Sequence, residues 1–218
     1  MKYKLYFLFF FIILFNCKEV FPKEKLSEGL YLDETSIAKY DSFCENGVKC
    51  NYITDTSAEK EINRIKSLIL KCKEFNYIKG IDNYLEAKKE EEKIYIYAYN
   101  SKIGCKVEIK IVNYDKGNNL RKLMNKLIEF QNNTERNIRY FSYLKGKVSN
   151  IDEILKSVES NKNLKNVRTI DIHNGYTGTA EYKNEKINFA INSYDTRSYL
   201  IVGTPIIFVT YWKIYCGG

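Results

Sequence analysis

Few residues in this chain are spaced for covalent or acid–base chemistry. His173 is the single histidine, and Asp171 stands two positions before it in VRTIDIHN. On a strand the two side chains would share a side, opposite Ile170 and Ile172. A histidine acts as general base only when a nucleophile and an orienting group complete the set. No G-x-S-x-G elbow, H-E-x-x-H helix, Walker loop or G-x-G-x-x-G turn is present. His173 therefore reads as an exposed strand-end residue. GYTGTAEY has two glycines without dinucleotide-loop spacing and reads as a turn into a strand. Glu90, Glu91 and Glu92 could serve a wall hydrolase as acid and base, but a run of adjacent acids is first a solvated turn. No catalytic residue and no cofactor is expected.

Cysteine chemistry is the next candidate, with six cysteines in the chain. Structural zinc needs paired ligands converging on four. With no C-x-x-C and one histidine, no metal site is expected. Cys44 and Cys50 are close enough in sequence to close a small loop by a disulfide in an oxidising compartment. Cys105 shares a face with Val107, Ile109 and Ile111 and is expected in the core. Cys72 is expected on the buried stripe of a helix. Cys17 stands where a bacterial lipoprotein carries its lipidated cysteine, although Asn16 before it is not the small residue a lipobox normally has.

Recognition by rings and charges has the clearest pattern. KIYIYAY sets Ile94, Ile96 and Ala98 on one face and Tyr95, Tyr97 and Tyr99 on the other. CKVEIKIVNY puts Lys106, Glu108 and Lys110 outward. On a sheet with one free face, Tyr95, Tyr97, Tyr99, Lys106 and Lys110 are candidate binding residues for an envelope protein or an anionic wall polymer. The alternative is that the tyrosines pack beneath another part of the chain.

The elements that must hold these residues follow from periodicity. VKCNYITD (Val48 to Asp55) reads as a strand. Thr56 with Glu59 makes a capping box, and Ile62, Ile65, Leu68, Ile69, Cys72 and Phe75 give the following helix one apolar stripe. IDNYLEAKK is the weakest strand candidate, being polar and Lys-rich. The two alternating segments with NSKIG between them argue for an antiparallel meander. NNLRKLMNKLIEFQ is a second helix. NIRYFSYLKGKV is a strand, and SNIDEILKSVES is a helix capped by Ser149 or Asn150. Strands then run to the end of the apolar segment. Strand, helix and several strands thus occur twice, in 48–132 and 137–212, with a leader in 23–47 and a tail in 213–218.

SYLIVGTPIIFVTYW is an apolar run broken at its centre. It is too short to cross a bilayer as a helix. Pro205 cannot donate within a central ladder, and Gly203 permits a bend. The expectation is a strand from Tyr199 to Val202, a kink, and an extended segment that leaves the first pairing. A phosphate cradle would need N–H groups leading into a helix, and no helical pattern follows.

The N-terminus carries an expectation about where such a protein works. MKYKLYFLFFFIILFNCKEVFPKE has two lysines, then eleven apolar residues from Leu5 to Phe15. That is the length of a signal-peptide core and too short for a spanning helix. Export is expected, with 1–22 a signal peptide or an uncleaved anchor and no other membrane segment. The net charge of +8 falls to about +6 without Lys2 and Lys4. A basic excess suits wall polymers, anionic lipid heads or nucleic acid without choosing among them.

INFAINSYDTRSYLIVGTPIIFVTYW resembles the C-terminal signature of the YwmB family, exported proteins of Gram-positive spore-formers. VEIKIVNYDKGNNLRKLMNKLI and RYFSYLKGKVSNIDEIL stand in matching order upstream. The resemblance covers roughly residues 45 to 211, and Gly203, Thr204, Pro205 and Ile206 are its sharpest match. The chain departs from the family pattern at its end, where Thr210 precedes Tyr211 and WKIYCGG extends beyond. The family's "TATA-box binding" label comes from similarity of fold. The resemblance implies an α+β fold of two strand-helix-antiparallel-sheet repeats, TATA-binding-protein-like, with helices packed on one face. It supplies no catalytic residues. The expected function is a non-enzymatic cell-surface binding module. Nucleic-acid binding and a wall-acting enzyme are the alternatives, and export argues against the first.

Overall fold

The computed structural model describes residues 26, 30–32, 37, 39–131, 134–194 and 196–208. The N-terminal segment with Cys17 and the tail 213–218 lie outside the described residues.

Alternation of apolar and polar residues produces ten strands. They are β1 (Ser42–Thr54), β2 (Tyr77–Ile81), β3 (Tyr84–Lys89), β4 (Glu92–Ser101), β5 (Gly104–Asn113), β6 (Arg136–Val148), β7 (Leu164–Ile172), β8 (Gly175–Tyr182), β9 (Glu185–Tyr194) and β10 (Arg197–Thr204). All join one sheet in the order β2-β3-β4-β5-β1-β6-β10-β9-β8-β7, and every pairing is antiparallel. Three complete helices lie among the described residues: α1 (Ala58–Cys72), α2 (Leu120–Glu129) and α3 (Ile151–Glu159).

This corrects the expected α+β fold of two TATA-binding-protein-like repeats. Sheet dominates the molecule, and the halves do not close as separate units. The long strands β1 and β6 pair with each other from Ser42↔Lys147 to Ile53↔Arg136 and fuse all ten strands into one sheet. The sequence pattern understated β1, which begins at Ser42 inside the expected leader. A two-residue turn at Asp82 and Asn83 also splits the weakest strand candidate, giving β2 and β3.

One face of the sheet carries the core. Ile94, Ile96 and Ala98 of β4 stand opposite Ile111, Ile109 and Val107 of β5, which stand opposite Val48, Cys50 and Tyr52 of β1. Phe189 and Ile191 of β9 continue the layer beside Val202 and Leu200 of β10. The apolar stripe of α1 (Ile62, Ile65, Ile69) and that of α2 (Leu120, Leu123, Met124, Leu127) are buried in the same cluster. Only Val158 of α3 is fully buried. Its predicted partners Ile151, Ile154 and Leu155 pack at the edge of the core. From the leader, Leu32 and Ile37 join the core, and Ser142 Oγ donates to the Leu30 carbonyl at 2.5 Å.

Helix caps follow the sequence with one shift. Ser57, not Thr56, caps α1, its side chain accepting from Lys60 N at 3.3 Å. Thr56 instead donates to Glu61. Asn119 caps α2 and Asn150 caps α3.

Two cysteine expectations change. Cys44 and Cys50 lie on the single strand β1, six residues and roughly 20 Å apart along an extended chain. A disulfide tolerates Cα separations only up to about 7 Å. They cannot pair, and both are free thiols. Cys105 is buried as expected, whereas Cys72 is exposed at the C-terminus of α1.

A polar cluster is buried between α1 and β1. The fully buried Glu61 carboxylate accepts from Tyr52 Oη at 2.6 Å, from Arg64 Nε at 3.0 Å and from Thr56 Oγ1 at 3.3 Å. Arg64 Nη2 also donates to the Phe130 carbonyl at 2.6 Å. This ties α1 to the end of α2. Burial alone would raise the Glu61 carboxyl, but the bonds from Arg64 and Tyr52 hold it below the ordinary carboxylate value.

Candidate functional site

The described helices α1 and α2 pack on the core face; on the other face Val112, Tyr143 and Ile201 are buried at the centre, and the polar positions of β4 and β5 meet toward one side of it. Register brings the candidate residues together: Tyr95 stands opposite Lys110, Tyr97 opposite Glu108 and Tyr99 opposite Lys106. Lys110 Nζ lies 5.9 Å from the Tyr95 ring centre, and Lys106 Nζ lies 5.8 Å from that of Tyr99, within reach of a cation–π contact. The ladder extends outward to β3, where the Tyr84 ring packs 4.9 Å from Tyr97. It extends inward to β1, where Lys49 is opposite Lys110 and forms a 3.3 Å ion pair with Glu108. Tyr99 stays over half exposed, whereas Tyr95 and Tyr97 are half-buried.

Lys110 is the unusual member. It is only 6% exposed, between the rings of Tyr95 and Phe208. Burial pushes its ammonium down to about 8, while Glu108 and Glu45 favour the charged form and Lys49 opposes it. A cation held in a half-aromatic slot beside another cation has an electrostatic cost that packing must offset.

Phe208 reaches this slot because the chain turns back at the end of β10. The Thr204–Pro205 peptide is cis, and residues 206–208 pass over Gly203. A Cβ at Gly203 would meet Ile206 O at 2.7 Å and Ile207 Cα at 2.9 Å. Both are backbone atoms, so only glycine allows the approach. The Phe208 ring packs edge-on against Tyr143 at 4.8 Å and Phe141 at 6.4 Å, with Lys49 Nζ 5.3 Å away. The strand does not end at Val202 as expected: Gly203 and Thr204 remain paired with Tyr143 and Ser142 of β6, and the chain leaves the ladder at Pro205 to cover the middle of this face. Thr204 is buried, its hydroxyl donating to the Lys186 carbonyl at 3.2 Å, and Ile206 is half exposed.

Where β4, β5, β1 and β6 come together at one end, the open face deepens into a groove of about 590 Å³ lined by Asn51, Tyr99, Ile103, Lys106, Asn137 and Arg139. That volume falls within the range of small-ligand sites, about 300–1,000 Å³. Sequence reasoning found Tyr99 and Lys106 and missed the rest. Lys49 was legible, since it alternates with Val48 and Cys50. Arg139 was legible too, since it alternates with Phe141 and Tyr143 in unbroken register with β1; Asn137 was not, because it sits in a bulge where two steps along β1, Asn51 to Ile53, match three along β6, Arg139 to Arg136.

His173 lies exposed in the turn between β7 and β8, and Asp171 is exposed on β7. Nothing nucleophilic is bonded to either among the described contacts. Among the described residues no group of three or more His, Cys, Asp or Glu is placed to hold a metal ion, and no described helix is long and apolar enough to cross a membrane.

No family model and no curated protein matches the chain. The YwmB resemblance thus rests on the quoted segments, above all Gly203, Thr204, Pro205 and Ile206.

Proposed function

We propose that the chain is an exported, non-enzymatic binding module of the cell surface. Its binding surface is the open face of the sheet, and its partner is an anionic wall polymer. The carrying observation is the cross-strand ladder of Tyr95, Tyr97 and Tyr99 with Lys110, Glu108 and Lys106, on the face the helices leave free. Rings give an extended ligand an apolar floor with little entropy to lose. Lysines and Arg139 supply long-range attraction to a polyanion. The signal-like N-terminus supports a place outside the membrane, where such polymers are found. Duplex DNA is the weaker reading on the same ground.

Binding of the purified protein to polygalacturonate, a carboxylate-bearing sugar polymer, tests this, with neutral amylose as control. The native protein is expected to co-sediment with immobilised polygalacturonate and not with amylose, and to be released by salt. The triple variant Tyr95→Ala, Tyr97→Ala, Tyr99→Ala is expected to lose about tenfold or more in affinity. Unchanged binding by a folded triple variant would remove the face from the account.

A further inference from the structure

The groove at the end of the open face has the parts of a defined subsite. Tyr99 offers a ring 52% exposed, and Ile103 beside it is 59% exposed. Across the groove stands Arg139 of β6, with Asn137 before it at φ 54° in the bulge. Asn51 and Lys106 line the groove between them. The wall is braced from outside: Arg136 pairs with Asp55, and its guanidinium donates to the Ile103 carbonyl at 3.4 Å. The hairpin tip that carries Ile103 is thereby tied to β6.

Charge decides what fits. Among the described residues neither Lys106 nor Arg139 has a carboxylate within ion-pair distance, and Glu108, the one acid at the groove, is engaged by Lys49. The groove therefore presents two cations without a carboxylate in ion-pair distance among the described residues, the side-chain amide of Asn137, an Asn51 amide turned toward Glu108, and an apolar floor. A neutral peptide would leave the cations unmatched, and a purely inorganic anion would leave Tyr99 and Ile103 in water.

The geometry points to a subsite for one anionic sugar unit. The sugar's C–H face lies on Tyr99 and Ile103, a hydroxyl bonds the amide of Asn137, and its carboxylate or phosphate is held by Arg139 and Lys106. This inference rests on the binding function proposed above and gives it a site of specificity: the ladder of Tyr95 and Tyr97 holds the polymer, and the groove selects its charged unit.

Calorimetric titration of the purified protein with trigalacturonate and with glucose 1-phosphate tests the subsite and distinguishes a carboxylate from a phosphate source. At least one of the two is expected to bind. Tyr99→Ala and Arg139→Ala are each expected to weaken it about tenfold or more, Arg139→Lys less, and Tyr95→Ala with Tyr97→Ala by less than about threefold. All these positions are on the solvent side of the sheet, and unchanged thermal midpoints would confirm folding. If polygalacturonate binds through Tyr95 and Tyr97 while both short ligands ignore Tyr99 and Arg139, the subsite is overturned and the binding face stands. If neither the polymer nor the short ligands bind, both fall. Tighter binding of the oligonucleotide dT8 than of either sugar would overturn the sugar assignment in favour of single-stranded nucleic acid.

Discussion

Glu61→Ala is expected to destabilise the protein by about 3 kcal/mol at pH 7, the lower end of the range for removing one partner of a buried ion pair. The carboxylate accepts from Tyr52, Arg64 and Thr56. Alanine there leaves the Tyr52 hydroxyl without its acceptor and takes from Arg64 its bidentate carboxylate, leaving it the Phe130 carbonyl, and a buried donor left unpaired is more costly than the bond was worth. Arg64 keeps 29% of its side-chain exposure, and water reaching it limits the loss. The pH dependence has a definite sign. The folded carboxyl lies below its ordinary value, so its stabilisation is present above about pH 4.3, the unfolded value, and disappears as pH falls through the folded value. Denaturant melts of the native protein and Glu61→Ala should therefore diverge at pH 7 and converge in acid. A loss under about 1 kcal/mol at pH 7 would mean that the cluster does not tie α1 to the sheet.

Lys110→Met is expected to do the reverse and stabilise the fold by on the order of 1–3 kcal/mol at pH 7. The methionine fills the slot between Tyr95 and Phe208 without a buried charge. Lys110 titrates at about 8 in the folded protein, against about 10.4 unfolded. Between those values the unfolded chain binds the proton that the folded chain has shed, so the native protein grows more stable as pH rises through the window. Below pH 8 the whole cost is present. The advantage of Lys110→Met should shrink across that window, which paired thermal melts at pH 7 and pH 10 would show. The same variant should bind polygalacturonate more weakly, because it removes a cation from the middle of the face. A charge kept at a cost in stability is the pattern expected where function, rather than packing, selects the residue.

Local alternation made the strands and both faces of β4 and β5 legible in the sequence. Tyr95, Tyr97 and Tyr99 could be assigned to one side from period two alone, and their register with Lys110, Glu108 and Lys106 follows from the short turn at Lys102 and Ile103. The capping residue located α3 to within a residue, and the apolar stripe of Leu120, Leu123, Met124 and Leu127 located α2. What local pattern could not express is pairing between distant segments. The union of β1 with β6 involves residues some ninety positions apart, and without it the same element order reads as two repeats. The groove escaped for a related reason. Asn137 reaches it through a bulge, and a bulge breaks the alternation by which a face is read. Cys44 and Cys50 looked close because sequence distance is not spatial distance; on an extended strand six residues carry two thiols far apart. That the strand breaks near Pro205 was legible, although it breaks after Thr204 rather than at Gly203; its destination depended on the slot formed by Phe141, Tyr143 and Lys49, which no stretch of sequence displays.

The most direct test of the binding face is to map it residue by residue, following backbone amide resonances of the isotope-labelled protein during titration with trigalacturonate. Shifts gathered on β4, β5, β1 and β6, with the largest at Tyr99, Lys106 and Arg139, are the predicted result. Shifts confined to the helices or to the edge strand β7, with the tyrosine ladder unmoved, would contradict the proposal that the open face of the sheet is where this protein meets its ligand.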